Sequence, residues 1–222
     1  MSNAPPPIIA VAFDLDGLMF NTEELYRDVG AELLRRRGKA ITQDLLDRMT
    51  GRKSNVALQI MIDYHDLTDD SVECLERETD ELFEGILEDR LQPMPGLLDL
   101  KSALESASIP FAVTTSSRRS FVERTLGLTG MSDHFHFWLT AEDVVHGKPA
   151  PEIYLKAAAQ FGIGPAQMMV LEDSENGCRA AVAAGACVVA VPGEHSRKHD
   201  FSGAALIADS LADARIFQRL GL

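Results

Sequence analysis

Short apolar runs alternate with longer amphipathic segments along the chain. The apolar runs predict strands, at Ile8–Phe13, Ile109–Thr115, Phe135–Leu139, Met168–Leu171 and Ala186–Val191. Segments with helical periodicity separate the later apolar runs. Strands that alternate with helices are typical of a parallel sheet, so the pattern predicts an α/β fold with a doubly wound parallel sheet.

A long stretch between the first two apolar runs carries no strand pattern. Its periodicity is helical, and the best segment runs from about Asp69 to Leu91, with Thr68 as the predicted N-cap. Pro93 and Pro95 end the stretch, because proline cannot continue a helix. We therefore predict a helical cap domain at residues 20–92, inserted into a core domain formed by residues 1–19 and 93–222.

The composition narrows the classes of partner. The chain has 222 residues with 45% hydrophobic composition, enough for one sizeable core and a smaller module. Its formal net charge of −13 argues against nucleic acid or an anionic membrane, because both bind positively charged surfaces. No run approaches the roughly 20 apolar residues of a membrane helix, and the N-terminus lacks a signal-peptide pattern. We therefore expect a soluble protein.

The cysteine pattern bears on the cellular compartment. Cys74, Cys178 and Cys187 are odd in number, far apart and without CxxC spacing. We expect buried free thiols, which indicate a cytoplasmic location because a reducing compartment keeps thiols free.

Two aspartates and a glycine end the first predicted strand. Residues i and i+2 of a strand share a face, so Asp14 and Asp16 lie together at the edge where open α/β sheets bind ligands. Gly17 lets the backbone turn sharply there. The alternative is an ordinary turn, since Asp and Gly favour turns in any context.

Groups that suit an anion follow the second and third predicted strands. Hydroxyls and free amides at a strand-to-helix junction bind anions, and this junction contains Thr115, Ser116, Ser117 and Arg119. Lys148 lies between a glycine and a proline at the start of a helix, where its point charge suits a phosphate. The alternatives are Ser117 as a helix N-cap and Lys148 as a solvated loop residue.

Adjacent acidic residues, Glu172 and Asp173, end the fourth predicted strand. Two carboxylates at the end of a buried strand repel each other and lose hydration, so a compensating charge is required. Mg²⁺ supplies it, with Asp14, the carbonyl of Asp16 and Asp173 as candidate ligands. The alternative is a helix cap at Asp173 or Ser174.

These four groups fall at successive strand ends and together resemble the motifs of the haloacid dehalogenase superfamily. The motifs appear in the family's order as Asp14-Leu15-Asp16-Gly17, Thr115, Lys148-Pro149 and Glu172-Asp173. The helical insertion directly after the first motif is similar to that of the subfamily containing β-phosphoglucomutase and many small-molecule phosphatases. The resemblance implies that the first strand is central, with the second and fourth on either side.

The resemblance also implies a mechanism. Asp14 is the expected nucleophile, which forms an aspartyl-phosphate, and Asp16 is the expected general acid and base. Thr115 and Lys148 complete the expected catalytic set and, with the Ser116 amide, hold the phosphoryl oxygens. Mg²⁺ is the implied cofactor, with the expected ligands Asp14, Asp16, Glu172 and Asp173. The expected substrate-binding residues are Gly17, Thr22, Gly51, Arg52, Lys53, Ser116, Ser117 and Arg119. For Arg52 and Lys53 the alternative is a pair of solvated loop cations.

The predicted function is that of a Mg²⁺-dependent phosphatase of a small phosphorylated metabolite, with a sugar phosphate as the first choice. The alternative is a sugar phosphomutase that uses the same phospho-aspartate. Tyr26 stands where the resembled mutase has a histidine, and Ser54 where it has a phosphate-binding arginine, which favours hydrolysis. The alternative is that Arg52 or Lys53, one or two positions earlier, takes the place of that arginine. A receiver-like signalling switch also combines a phosphorylated Asp with Thr and Lys, but it lacks a large helical cap. A silent binding protein on this scaffold has little support, since no motif residue is missing.

Overall fold

The computed structural model describes residues 6–49 and 54–222. Packing divides the chain into two compact units. One comprises the chain up to Asn21 together with Gln92–Leu222, and the other lies within Thr22–Leu91. The first unit contains the sheet, and the described residues of the second form helices and their connections.

A six-stranded parallel sheet forms the centre of the first unit. Its strands are β1 (Ala10–Phe13), β2 (Phe111–Thr114), β3 (Trp138–Leu139), β4 (Met168–Glu172), β5 (Cys187–Ala190) and β6 (Leu206–Ile207). Their order is β3-β2-β1-β4-β5-β6, and each neighbouring pair is parallel. This order confirms the predicted α/β fold, with β1 between β2 and β4. The sequence analysis did not predict β6.

Helices precede or follow the strands and make up the second unit. They are α1 (Thr22–Arg36), α2 (Gln43–Met49), α3 (Ser54–His65), α4 (Val72–Arg90), α5 (Leu97–Ser106), α6 (Arg119–Leu128), α7 (Glu152–Phe161), α8 (Glu175–Ala184) and α9 (Ala214–Leu220). The first four belong to the helical unit, and the other five belong to the unit that contains the sheet.

One buried cluster of the first unit joins the sheet to two of its helices. Every residue of β1, β2 and β4 is buried, which explains why these strands read as continuous apolar runs instead of alternating ones. Ile153 and Ala157 of α7 and Ala181 of α8 share one buried cluster with Val170 of β4. Each fully buried aliphatic side chain contributes roughly 1.5–3 kcal/mol, so the strand ends are anchored in a rigid core.

The helical unit has an apolar core of its own. Leu25, Val29 and Leu33 are buried on α1, and Phe83 and Leu87 are buried on α4. Spacings of four residues place each set on one face of its helix. The apolar pattern of this stretch therefore predicts helices that pack on one another, as observed.

The start of α4 differs from the prediction. Ser71 is its N-cap, and the Ser71 Oγ accepts a hydrogen bond from the Cys74 amide at 3.2 Å. Thr68 instead lies in a turn that follows Asp66, whose φ of 51° is in the left-handed region. The prediction of Thr68 as the N-cap is therefore wrong, because this turn delays the helix by one turn.

The cysteines are free thiols, as predicted. Cys178 is buried and Cys187 half-buried, but Cys74 is exposed on α4, so the prediction of burial is wrong for that residue. Across residues 6–49 and 54–222, every helix is too short or too polar to cross a bilayer.

Candidate active site

The candidate site lies at the carboxyl ends of three neighbouring strands. β1 pairs in parallel with β2 on one side and with β4 on the other, which brings the ends of the three strands together. The residues at or just beyond these ends include Asp14, Thr115, Glu172 and Asp173, and all four are buried. The structure thus brings together groups that the sequence placed at separate strand ends.

Lys148 joins two of these carboxylates. Its Nζ donates to Oδ1 of Asp14 at 2.5 Å, to Oε1 of Glu172 at 2.6 Å and to the Thr114 carbonyl at 2.9 Å. These bonds use all three N–H groups of the ammonium. Its side chain is only 5% exposed. Lys148 is therefore a buried partner of the carboxylates and not a solvated loop residue.

Glu172 accepts hydrogen bonds on both oxygens. In addition to the Lys148 ammonium, Oε1 accepts the hydroxyl of Tyr154 at 2.5 Å. Oε2 accepts the hydroxyl of Ser174 at 2.9 Å. Ser174 is also the N-cap of α8, where its Oγ accepts the Gly177 amide. The helix-cap alternative is thus correct for Ser174, which caps α8 and also donates a hydrogen bond to the carboxylate cluster.

The cluster carries more negative than positive charge. Burial raises the pKa of Asp14 well above its usual value, although Lys148 opposes this shift. Burial also raises the pKa of Asp173 to about 6. For Lys148, burial by itself lowers the pKa, but Asp14 and Glu172 outweigh it and hold the pKa well above its usual value. The ammonium therefore stays charged, and a further cation would favour the ionised forms of Asp14 and Asp173.

The donor atoms of the cluster fit a divalent metal ion. One oxygen from each of Asp14, Glu172 and Asp173 lies within 4.8 Å of the others. Carboxylate oxygens are the ligands that Mg²⁺ prefers, and a divalent charge would neutralise the excess. Because both oxygens of Glu172 already accept hydrogen bonds, Asp14 and Asp173 are the better placed direct ligands.

Asp16 points towards the hydroxyl groups that follow β2. Its Oδ2 accepts the Ser117 hydroxyl at 2.6 Å and the Thr115 hydroxyl at 3.3 Å. Gly17 has a φ of 73°, which favours glycine, and its amide donates to the Phe20 carbonyl. The Asp16 carboxylate is thus engaged by hydroxyls, and a metal role for this residue would rest on its carbonyl.

The other predicted substrate-binding residues differ in their burial and in their hydrogen-bond partners. The Arg119 guanidinium donates to Oδ2 of Asp143 at 2.7 Å, so it is engaged in an ion pair. Ser116 is exposed beside Thr115. Thr22 is buried at the first residue of α1 in the helical unit. Three predicted residues lie outside the described part of the chain, namely Gly51, Arg52 and Lys53.

Besides Ser174, the side chains of Tyr154 and His195 contact the carboxylates without having been predicted as part of the site. Tyr154 reads in the sequence as part of the apolar face of α7. The Nε2 of His195 lies 2.9 Å from Oδ2 of Asp173. His195 follows β5, which is the neighbour of β4. A search for polar residues after every predicted strand, and not only after four, would have found it.

Comparisons with known proteins identify the family. The family model for haloacid dehalogenase-like hydrolases matches residues 8–185. A probable pseudouridine-5'-phosphatase of Drosophila melanogaster is 32% identical over 207 residues, which cover 90% of this chain and 89% of that protein. A phosphorylated carbohydrates phosphatase of Thermotoga maritima is 31% identical over 177 residues, which cover 79% of this chain and 81% of that protein.

A solved structure agrees with these sequence matches. The crystal structure of CbbY from Rhodobacter sphaeroides in complex with phosphate has a TM-score of 0.80 and 26% identity, and the match covers 97% of this chain and 100% of that chain. The two sequence relatives are both named as phosphatases, which confirms the prediction of a phosphoric monoester hydrolase. Since the family match covers most of the chain, the protein belongs to the haloacid dehalogenase-like hydrolases.

Proposed function

We propose that this protein is a Mg²⁺-dependent phosphatase of a small phosphorylated metabolite, with Asp14 as its nucleophile. The observation that carries the proposal is the 2.5 Å contact between Lys148 and Asp14 in a buried site at the end of the central strand. An ammonium that fixes one oxygen of a carboxylate orients the other for attack on phosphorus. The relatives support a sugar-phosphate substrate, since one is named for phosphorylated carbohydrates.

The proposed reaction consists of two displacements at phosphorus. In the first, an oxygen of Asp14 attacks the phosphorus, the P–O ester bond breaks, and the leaving oxygen takes a proton from Asp16. In the second, Asp16 takes a proton from water, and the water oxygen attacks the aspartyl-phosphate. The P–O bond to Asp14 then breaks. The products are an alcohol and inorganic phosphate, and both aspartates return to their starting state.

Other residues of the site are proposed to hold the phosphoryl group. Lys148, the Thr115 hydroxyl and the Ser116 amide would bind its oxygens in the transition state. Asp14, Asp173 and the carbonyl of Asp16 would hold Mg²⁺, which would neutralise part of the negative charge of the nucleophile and the phosphoryl group.

The helical unit is proposed to act as a cap that recognises the rest of the substrate. A cap inserted after the first motif would exclude water during phosphoryl transfer. We keep four of its residues as substrate-binding candidates, namely Thr22, Gly51, Arg52 and Lys53. Gly17, Ser117 and Arg119 remain candidates in the core unit, although the ion pair with Asp143 gives Arg119 an indirect role. The free thiols support a cytoplasmic location.

We propose hydrolysis over phosphomutase activity because of Tyr26. It stands at the position of the mutase histidine, and its ring stacks on Phe83 with 4.2 Å between the ring centroids. A stacked phenol offers no imidazole to couple substrate binding to proton transfer by Asp16. An assay with β-glucose 1-phosphate and a bisphosphate primer separates the two activities. Isomerisation to glucose 6-phosphate that far outpaces phosphate release would favour the mutase.

The experiment that tests the proposal is a phosphate-release assay on a panel of phosphorylated sugars, nucleoside monophosphates and p-nitrophenyl phosphate. We expect turnover with Mg²⁺, none with excess EDTA, and none for Asp14→Asn, since an amide is a poor nucleophile. Asp80→Asn, an equivalent change at an exposed aspartate of α4, is the matched control and should be fully active. Undiminished turnover of Asp14→Asn, or of the wild type in EDTA, would overturn the proposal.

A further inference from the structure

Tyr154 is a fully buried residue of α7 that the proposed reaction does not use. Its hydroxyl donates to Oε1 of Glu172 at 2.5 Å. Burial raises the pKa of Tyr154 well above its usual value, and the charge of Glu172 raises it further. The phenol therefore remains protonated at all physiological pH values and acts as a permanent donor to the carboxylate.

The oxygen that accepts this hydroxyl also binds the ammonium of the site. Lys148 donates to the same Oε1 at 2.6 Å and to Oδ1 of Asp14 at 2.5 Å. Tyr154, Glu172, Lys148 and Asp14 thus form one continuous chain of hydrogen bonds that ends on the proposed nucleophile. Each bond in it has a charged partner, and such bonds are short and strong.

Packing alone does not account for the hydroxyl. The Lys148 Nζ lies 5.3 Å from the centroid of the Tyr154 ring, a contact that requires only an aromatic face. Phenylalanine would fill nearly the same volume, and it would avoid the cost of burying a hydroxyl. What the hydroxyl adds is a second hydrogen-bond donor to Oε1 of Glu172, besides the ammonium of Lys148.

We propose that Tyr154 is a positioning residue of the reaction, whose hydroxyl fixes Glu172 and thereby holds Lys148 against Asp14. The inference rests on the proposed function. Without the hydroxyl, Lys148 is the only one of these two donors left on Oε1, so the carboxylate follows the ammonium and no longer fixes its position. The orientation of Asp14 then loosens, which slows phosphoryl transfer more than it weakens substrate binding.

The test compares Tyr154→Phe with wild type in rapid-quench kinetics with Mg²⁺ and p-nitrophenyl phosphate. We expect kcat to fall roughly 10–100-fold, as for other residues that orient ligands of a site. KM should change by about twofold or less, and the fraction of active sites should stay the same. Tyr154→Leu, which also removes the ring, should lose more activity and thermal stability.

Tyr64→Phe is the matched control. Tyr64 also has a cation over its ring, Arg48 at 5.4 Å, and its hydroxyl lies 3.1 Å from the Thr42 hydroxyl, but it belongs to the helical unit. It should keep wild-type kinetics. A Tyr154→Phe variant with wild-type kcat, or with a reduced fraction of active sites and an unchanged rate per site, would overturn the proposal.

Crystal structures of the wild type and of Tyr154→Phe test the positioning role independently of turnover. In Tyr154→Phe we expect the carboxylate of Glu172 to rotate and the contact between Lys148 and Asp14 to lengthen. If both groups keep their wild-type positions, the inference is wrong even if the protein is a phosphatase. If they move but the wild type releases no phosphate from any substrate, the proposed function fails instead.

Discussion

The carboxylate of Glu172 occupies the space that a side chain on Gly177 would need. A Cβ atom on Gly177 would lie 1.8 Å from Oε1 and 2.2 Å from Oε2 of Glu172. The carboxylate cannot simply move aside, because its oxygens accept hydrogen bonds from Tyr154, Lys148 and Ser174. Glycine at the start of α8 is therefore a requirement of the site and not of the helix.

This relationship predicts an unusual effect of Gly177→Ala. In an ordinary helix, Gly→Ala stabilises by up to about 1 kcal/mol. Here we expect a lower Tm and a loss of turnover of roughly 10-fold or more, since Glu172 must leave its donors. Gly85→Ala in α4 is the control, because a Cβ atom there meets nothing within 4 Å. A Gly177→Ala protein that is both more stable and fully active would contradict this account.

The position of Asp16 predicts a dependence on the leaving group. In the proposed reaction Asp16 is the proton donor to the leaving group, and its Oδ2 accepts the Ser117 hydroxyl, which fixes the orientation of the carboxyl group. Asp16→Asn should lower kcat/KM by roughly 10²–10⁴-fold for an alkyl phosphate such as a sugar phosphate. The loss should be smaller for p-nitrophenyl phosphate, whose leaving group needs no proton. Equal losses of kcat/KM on both substrates would argue against Asp16 as the general acid.

The effect of Mg²⁺ on stability should depend on pH. The pKa of Asp173 is about 6 in the folded protein, raised by burial from 3.8. Between these values the folded state binds more protons than the unfolded state, so without metal this residue's contribution to stability falls as pH rises. In the proposed site Mg²⁺ would bind the ionised form of Asp173 and so compete with the proton. We therefore expect Mg²⁺ to raise Tm more at pH of about 7.5 than at pH of about 5.

Differential scanning calorimetry with and without Mg²⁺ measures this effect. In Asp173→Asn, the gain in Tm from Mg²⁺ should largely disappear at both pH values. An equal gain in the wild-type protein at both pH values would show that protons and the metal do not compete for this site.

His195 should support metal binding through Asp173. Residues that hydrogen-bond to metal ligands typically change metal affinity by roughly 10–100-fold when removed. We expect His195→Leu to weaken Mg²⁺ binding by a factor of this size in isothermal titration without substrate. His195→Gln retains a donor and should lose less. Wild-type affinity in the leucine variant, or equal losses in both, would remove His195 from the account.

The apolar pattern of the sequence was enough to predict most of the fold, but it did not predict most of the side-chain contacts in the site. Strands that are buried on both faces give long apolar runs, and this is why β1, β2 and β4 were found. The same topology explains why residues at strand ends, such as Asp14 and Glu172, were expected to meet. Their roles in catalysis remain predictions.

Side-chain partners were harder to predict because they depend on local geometry. Tyr154 has the apolar spacing of a core residue, and nothing in the sequence shows that its hydroxyl reaches Glu172. Arg119 begins the helix that follows β2, as a phosphate-binding residue would, but Asp143 follows β3 at the same edge and binds its guanidinium. Sequence patterns locate such residues on an element, whereas their contacts depend on how neighbouring elements are spaced.

The central claim is that Asp14 becomes phosphorylated, and a crystal structure with Mg²⁺ and beryllium fluoride tests it most directly. Beryllium trifluoride mimics a phosphoryl group bonded to a carboxylate. The account predicts a beryllium–oxygen bond to Asp14, with the fluorine atoms contacted by Lys148 and Thr115. A beryllium adduct on any other side chain would contradict it. So would an unmodified Asp14 in crystals that contain beryllium fluoride at another site.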